Sequence, residues 1–243
     1  MNSRTALLAR FLMAAAFVIG GGSLVLFGVF LFRGPFRFFT FDSSFVAALG
    51  IDATLCLLFF IQHSVMVRKS FHDRLSSVVP SCFHRAVYAV ASGVVLLALM
   101  VFWQPTPILF SIQGIFRLLL RGAFLGSFFG FFWSVNALGD FDALGIQPIK
   151  ARLRNRELPA AKFAVKGSYK LVRHPVYLFT LVLLWCYPDI SPDRLLLNIA
   201  FSIWIVVGTV LEERDLVAEF GQEYIEYQKN VPMLLPWRRP KVG

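Results

Sequence analysis

Two short stretches carry side chains that apolar surroundings normally exclude. Arg173-His174-Pro175 stands directly before the run "VYLFTLVLLW", and Glu212-Glu213 follows another apolar run with no spacer. Proline lacks an N–H and suits the first position of a helix, while the residue before it is pushed out of the α region. Pro175 is therefore expected to open a helix, with Arg173 and His174 just outside it. A helix start presents free N–H groups and a partial positive charge. Together with Arg173 it offers a place for a carboxylate or phosphate. The plainer alternative has Arg173 snorkelling to lipid headgroups and His174 capping the helix.

On the acidic side, Glu213, Val217, Phe220 and Tyr224 are spaced by four, three and four residues. That spacing puts a carboxylate and two aromatic rings on one helical face, provided Gly221 does not end the helix. The alternative is an amphipathic helix lying on the membrane surface. An acid, an aromatic face and an anion-binding helix start suit a zwitterionic aromatic ligand, such as a nucleoside carrying an amino acid.

A third group lies earlier. His63 sits in "FFIQHSVM", Asp52 lies about three turns before it, and Arg85 and Tyr88 open the next apolar run. An ionisable residue inside a span is a functional candidate by default; a structural hydrogen-bond partner is the alternative.

These residues need elements to hold them, and the composition says which. Of 243 residues, 57% are hydrophobic and 16% charged, against about 25% charged in soluble domains. The mean hydropathy is +0.67. Apolar runs long enough to cross a bilayer occur at 7–32, 45–67, 86–103, 115–138 and 195–211, with a shorter one at 176–187 that reads as a half-span. The net charge of +10 would suit nucleic acid, but the basic residues fill the gaps between apolar runs, as membrane topology requires. Arg68, Lys69, Arg74 and Arg85 occupy the second gap. Lys150, Arg152, Arg154, Arg156, Lys162, Lys166, Lys170 and Arg173 occupy the fourth. Lys229, Arg238, Arg239 and Lys241 are in the tail, and the third gap has no charge. Both termini and the even gaps are thus expected to be cytoplasmic, against the weaker signal of Arg33 and Arg37. Cys56, Cys82 and Cys186 form neither a disulfide framework nor a zinc motif, and no metal is expected. The first apolar run is too long for a cleavable signal peptide.

"GSYKLVRHPVY", "EERDL", "FGQEYIEY" and "VPMLLP" resemble the isoprenylcysteine carboxyl methyltransferase-like integral-membrane methyltransferases over roughly the last third of the chain. "FFIQHSVMVRKSF" and "HRAVYAVASGVVLLALMVFWQP" are similar to the branch of bacterial methanethiol S-methyltransferases and NnrU-like proteins. The resemblance implies an all-α, polytopic transmembrane helical bundle of five to six spans with a cytoplasmic C-terminal cofactor-binding segment. Residues 1–138 would form the substrate side and 139–243 the methyltransferase core. It implies S-adenosylmethionine bound by Arg173, His174, Pro175, Tyr177, Glu212, Glu213, Tyr224 and Tyr227, with Leu216 and Pro232 matching the same motifs. The prenylcysteine enzymes carry an arginine about one turn before the acidic pair. Here Gly208, Thr209 and Val210 stand there, a departure that speaks against carboxyl methylation of a prenylated protein.

Transfer of a methyl group from a sulfonium to a thiolate destroys charge, and a dry pocket favours that step. The thiol must first be deprotonated; a cysteine-like thiol has a pKa of about 8.5. His63 is the expected base, Arg85 and Tyr88 join it on the substrate side, and Glu212 and Glu213 complete the catalytic set. The expected reaction is methylation of a small lipophilic thiol, methanethiol first, to dimethyl sulfide. The expected setting is a lipid bilayer, a bacterial inner membrane, with no nucleic acid and no obligate protein partner. Carboxyl or other O-methylation of a lipophilic acceptor, or a non-catalytic NnrU-like role, are the alternatives.

Overall fold

The computed structural model describes residues 3–139, 142–157 and 163–237. The basic tail residues Arg238, Arg239 and Lys241, and Lys162 in the fourth gap, lie outside them. In chain order the helices are α1 (Ser3–Ala15), α2 (Gly22–Arg33), α3 (Phe45–Val67), α4 (Lys69–Leu75), α5 (His84–Phe102), α6 (Gly114–Ala137), α7 (Ile146–Leu153), α8 (Pro175–Trp185), α9 (Pro192–Phe220) and α10 (Gln222–Asn230). A π-helical turn, Ala16–Gly21, joins α1 to α2. The one departure from an all-α chain among the described residues is a two-residue antiparallel pairing of β1 (Phe110–Ser111) with β2 (Asp189–Ile190).

Among the described residues, five stretches are long and apolar enough to cross a membrane: Thr5–Arg33, Phe45–Val67, Ser81–Phe102, Gly114–Ala137 and Pro192–Phe220. Their apolar side chains are widely exposed, Leu7 at 71% and Phe129 at 72%, as lipid-facing positions are. The protein is an integral membrane protein of polytopic helical type. All five long runs read in the sequence are helices here. The short run is α8, whose 11 residues reach only about 16 Å, roughly half the hydrocarbon thickness. It turns through β2 into α9 as a hairpin. Helix α9 has 29 residues, or about 44 Å, and so outlasts a 30 Å hydrocarbon layer. The sequence suggested a span ending at Leu211 and a separate tail; the same helix instead continues to Phe220.

Two compact units emerge, Met1–Thr106 with Asp142–Ala160, and Pro107–Phe141 with Ala161–Gly243. In the first, α5 packs on both α3 and the π-helical turn. The second contact is close because it lacks side chains: a Cβ on Gly93 would lie 2.7 Å from the Ile19 carbonyl oxygen. Small residues allow such backbone approach in membranes. Asp52, fully buried in α3, accepts the Gln104 backbone N–H at 2.8 Å and so ties the end of α5 to α3. In the second unit, α6 packs along α8. Asp189 of β2 takes a two-pronged ion pair from Arg117, at 2.8 and 2.9 Å.

Candidate active site

Pro175 occupies the first turn of α8, as the sequence suggested, and His174 before it is outside helical geometry at φ −125°, ψ 65°. The chain segment leading into α8 is held by the segment after α10: the Arg173 and His174 backbone N–H groups donate to the Pro232 and Met233 carbonyls at 2.9 and 3.1 Å. Neither partner carries a side-chain signal of that bond.

The side chains converge on Glu213, which α9 brings in beyond its apolar stretch. Arg173 donates from Nε to Glu213 Oε1 at 2.6 Å and from Nη2 to Oε2 at 2.9 Å. Its Nη1 donates to the Gln228 and Val231 carbonyls at 3.0 and 2.5 Å. His174 Nε2 lies 3.0 Å from Glu213 Oε1. Gln228 Nε2 donates to Glu213 Oε2 at 3.0 Å, and the Tyr224 hydroxyl reaches Oε1 at 3.5 Å. Glu213 is 9% exposed and His174 6%. A carboxylate so buried is costly unless paired and hydrogen-bonded; here both oxygens are engaged from several sides.

Glu212, one residue earlier, faces a different environment. Its Oε2 accepts from the Tyr177 hydroxyl at 2.7 Å and lies 3.8 Å from His174 Nδ1, with 44% of the side chain exposed. The His174 and Tyr177 rings stack at 5.5 Å and 5°. A flat aromatic pair with a half-exposed carboxylate beside it can hold a planar ring and a cation or hydroxyl.

The structure corrects one detail. The face expected to run from Glu213 to Tyr224 is not one helix, because α9 ends at Gly221, where φ is +58°. Tyr224 arrives on α10 and still reaches Glu213. Arg173, expected to face a ligand anion, has its guanidinium engaged by Glu213 and two carbonyls. Sequence reasoning missed Gln228, although its place four residues after Tyr224 and one after Tyr227 was a usable sign. It also missed Phe163, whose ring packs on Phe220, Tyr224 and Tyr227.

Tyr227 donates to the Tyr169 carbonyl at 2.5 Å, tying α10 to the segment before α8. Burial pushes the Tyr224 hydroxyl pKa up, and the Glu213 charge adds to it. Burial does the same for Tyr227, helped by Tyr224, and for Tyr169, helped by Glu212. All three remain neutral hydroxyls at physiological pH.

In the first unit, the Tyr88 hydroxyl lies 2.9 Å from His63 Nδ1 and 2.7 Å from Nε2, with ring centroids 5.1 Å apart. Gln62 Nε2 donates to Ser92 Oγ at 3.2 Å on the same pair of helices. Arg85 is exposed and bonds neither ring among the described residues. No group of three His, Cys, Asp or Glu side chains that could hold a metal ion occurs among the described residues.

No family model matches the chain, and no solved structure matches it. Curated relatives do. The methanethiol S-methyltransferase of Pseudomonas deceptionensis is 36% identical over 207 residues, 83% of this chain and 78% of the relative. That of Mycobacterium tuberculosis is 30% identical over 204 residues, 82% and 84% of the two chains. Nurim of Xenopus laevis is 28% identical over 184 residues, 72% and 64%. With such identity across most of its length, the chain belongs to the methanethiol S-methyltransferase family of integral membrane methyltransferases.

Proposed function

We propose that this protein transfers a methyl group from S-adenosylmethionine to methanethiol, giving dimethyl sulfide, in a bacterial inner membrane with both termini cytoplasmic. The observation that carries the cofactor assignment is the assembly around Glu213. There Arg173, His174, Tyr224 and Gln228 fix one buried carboxylate, and Tyr177 and Glu212 flank it with an aromatic stack and a half-exposed acid. S-adenosylmethionine is a planar nucleoside carrying a sulfonium cation and an amino acid, and these residues fit those features. It would supply the electrophilic methyl carbon.

The chain's own residues do the rest. Arg173 and Glu213 lock the start of α8 to the end of α9 and to α10. His174 and Tyr177 present their stacked rings, Glu212 meets positive charge or ribose hydroxyls, and Tyr224 and Tyr227 close the floor. His63 takes the thiol proton, with Tyr88 hydrogen-bonded to it, and Arg85, one turn before Tyr88, is assigned to the substrate side with them. The thiolate sulfur then forms its new bond to the methyl carbon as the old carbon–sulfur bond breaks with its electron pair. A dry span interior favours this loss of charge. The basic second and fourth gaps support the cytoplasmic assignment.

The test is incubation of membranes holding the protein with methyl-labelled S-adenosylmethionine and a panel of thiols and carboxylic acids. Label in volatile sulfide supports the reading. Label only in an ester, or none in any acceptor, overturns it.

A further inference from the structure

We infer that Arg214 recognises the carboxylate of S-adenosylmethionine; this rests on the cofactor reading above and goes beyond it by naming the anion partner. Arg173 is committed elsewhere: its guanidinium is bonded to both Glu213 oxygens and to the Gln228 and Val231 carbonyls. A second arginine, Arg214, follows Glu213 on α9. Val210, Glu213, Arg214 and Val217 form one stripe of α9, and with Gln228 of α10 they line an open cleft of about 380 Å³.

Arg214 is exposed and forms no ion pair among the described residues. Its own helix supplies no acid to neutralise it. The positions three and four residues away are Leu211, Val210, Val217 and Ala218, and only those positions face it along a helix. A guanidinium in this position offers a planar fork that matches a carboxylate. The apolar walls Val210 and Val217 suit the methylene chain between sulfonium and amino acid.

The test compares S-adenosylmethionine with its decarboxylated form, which keeps the sulfonium, nucleoside and amine. Calorimetry is done on the full-length detergent-solubilised protein, native and Arg214→Ala, with Arg214→Lys as the conservative variant. The native protein is expected to bind S-adenosylmethionine at least tenfold more tightly than the decarboxylated form, about 1.4 kcal/mol. Arg214→Ala is expected to bind the two equally, and Arg214→Lys to restore part of the preference. Preserved discrimination in Arg214→Ala overturns the assignment, as does a native protein that binds both forms equally. Binding of neither form by native protein instead overturns the cofactor reading on which the inference rests.

Discussion

Arg173 and Glu213 are joined by two parallel hydrogen bonds, Nε to Oε1 at 2.6 Å and Nη2 to Oε2 at 2.9 Å, across 40 residues of sequence. Both side chains are about nine-tenths buried. The pair closes the α8–α9 hairpin onto α10, because the same guanidinium also reaches the carbonyls of Gln228 and Val231. It thereby fixes α8, α9 and α10 to one another.

Removing either partner leaves an uncompensated buried charge, which costs about 3–5 kcal/mol. Arg173→Ala and Glu213→Ala are each expected to lower the melting temperature and to weaken S-adenosylmethionine binding by at least tenfold. The double variant should lose much less than the sum. Glu212→Gln is expected to lose cofactor affinity with the melting temperature unchanged, since Glu212 is half exposed, hydrogen-bonded to Tyr177 and only distantly paired with His174. Melting curves and calorimetry on the four proteins check this; equal destabilisation by Glu212→Gln and Glu213→Ala would contradict it.

Most of the fold was readable because lipid demands long apolar runs, and water-soluble domains seldom contain five of that length. That Arg173, His174 and Tyr224 would lie near the acidic pair was readable too, through the resemblance of "RHPVY", "EERDL" and "FGQEYIEY" to known motifs, and these side chains do meet at Glu213. What stayed hidden was the division of labour. Adjacent glutamates point about 100° apart on a helix, so one is buried against Arg173 and the other half exposed, and type and spacing alone do not say which. The pairing of Arg173 and His174 with the Pro232 and Met233 carbonyls was illegible, since any residue offers the same carbonyl. Glycine is tolerated inside a helix as well as at its end, so the residue type of Gly221 leaves the break undecided and its positive φ decides it.

Gly221 sits at φ +58°, ψ −128°, a region open to little besides glycine. A Cβ there would meet nothing within 4 Å, so the cost of substitution is purely backbone. Gly221→Ala is expected to destabilise the α9–α10 turn by about 1–3 kcal/mol and to weaken cofactor binding by displacing Tyr224 and Gln228. Unchanged melting and binding would show that α10 does not depend on this turn.

The raised pKa of Tyr227 has an alkaline consequence. Near pH 10 the unfolded chain begins to lose its tyrosine protons while the folded protein retains this one, so the unfolded state is favoured increasingly as pH rises. Stability from this group is therefore complete below about pH 10 and falls above it. Tyr227→Phe, which also lacks the bond to Tyr169, is expected to be less stable at pH 8 and to show a shallower decline between pH 10 and 11. Parallel melting curves over that range check the slope.

His63→Ala and Tyr88→Phe are expected to leave S-adenosylmethionine affinity nearly intact and to lower turnover with methanethiol by tenfold or more, within the usual range for a general base. Native activity should fall on the acid side, where imidazole already carries its proton. A pH–rate profile with one volatile thiol checks both. Full rate and the same acid limb in His63→Ala would make His63 structural.

The most direct measurement supplies purified protein with unlabelled methanethiol and S-adenosylmethionine bearing a trideuterated methyl group, and analyses the headspace by mass spectrometry. The expected product is dimethyl sulfide with one deuterated methyl, formed by native protein and lost in Glu213→Ala. Absence of that product from correctly folded native protein, or its undiminished formation by Glu213→Ala, would contradict the account.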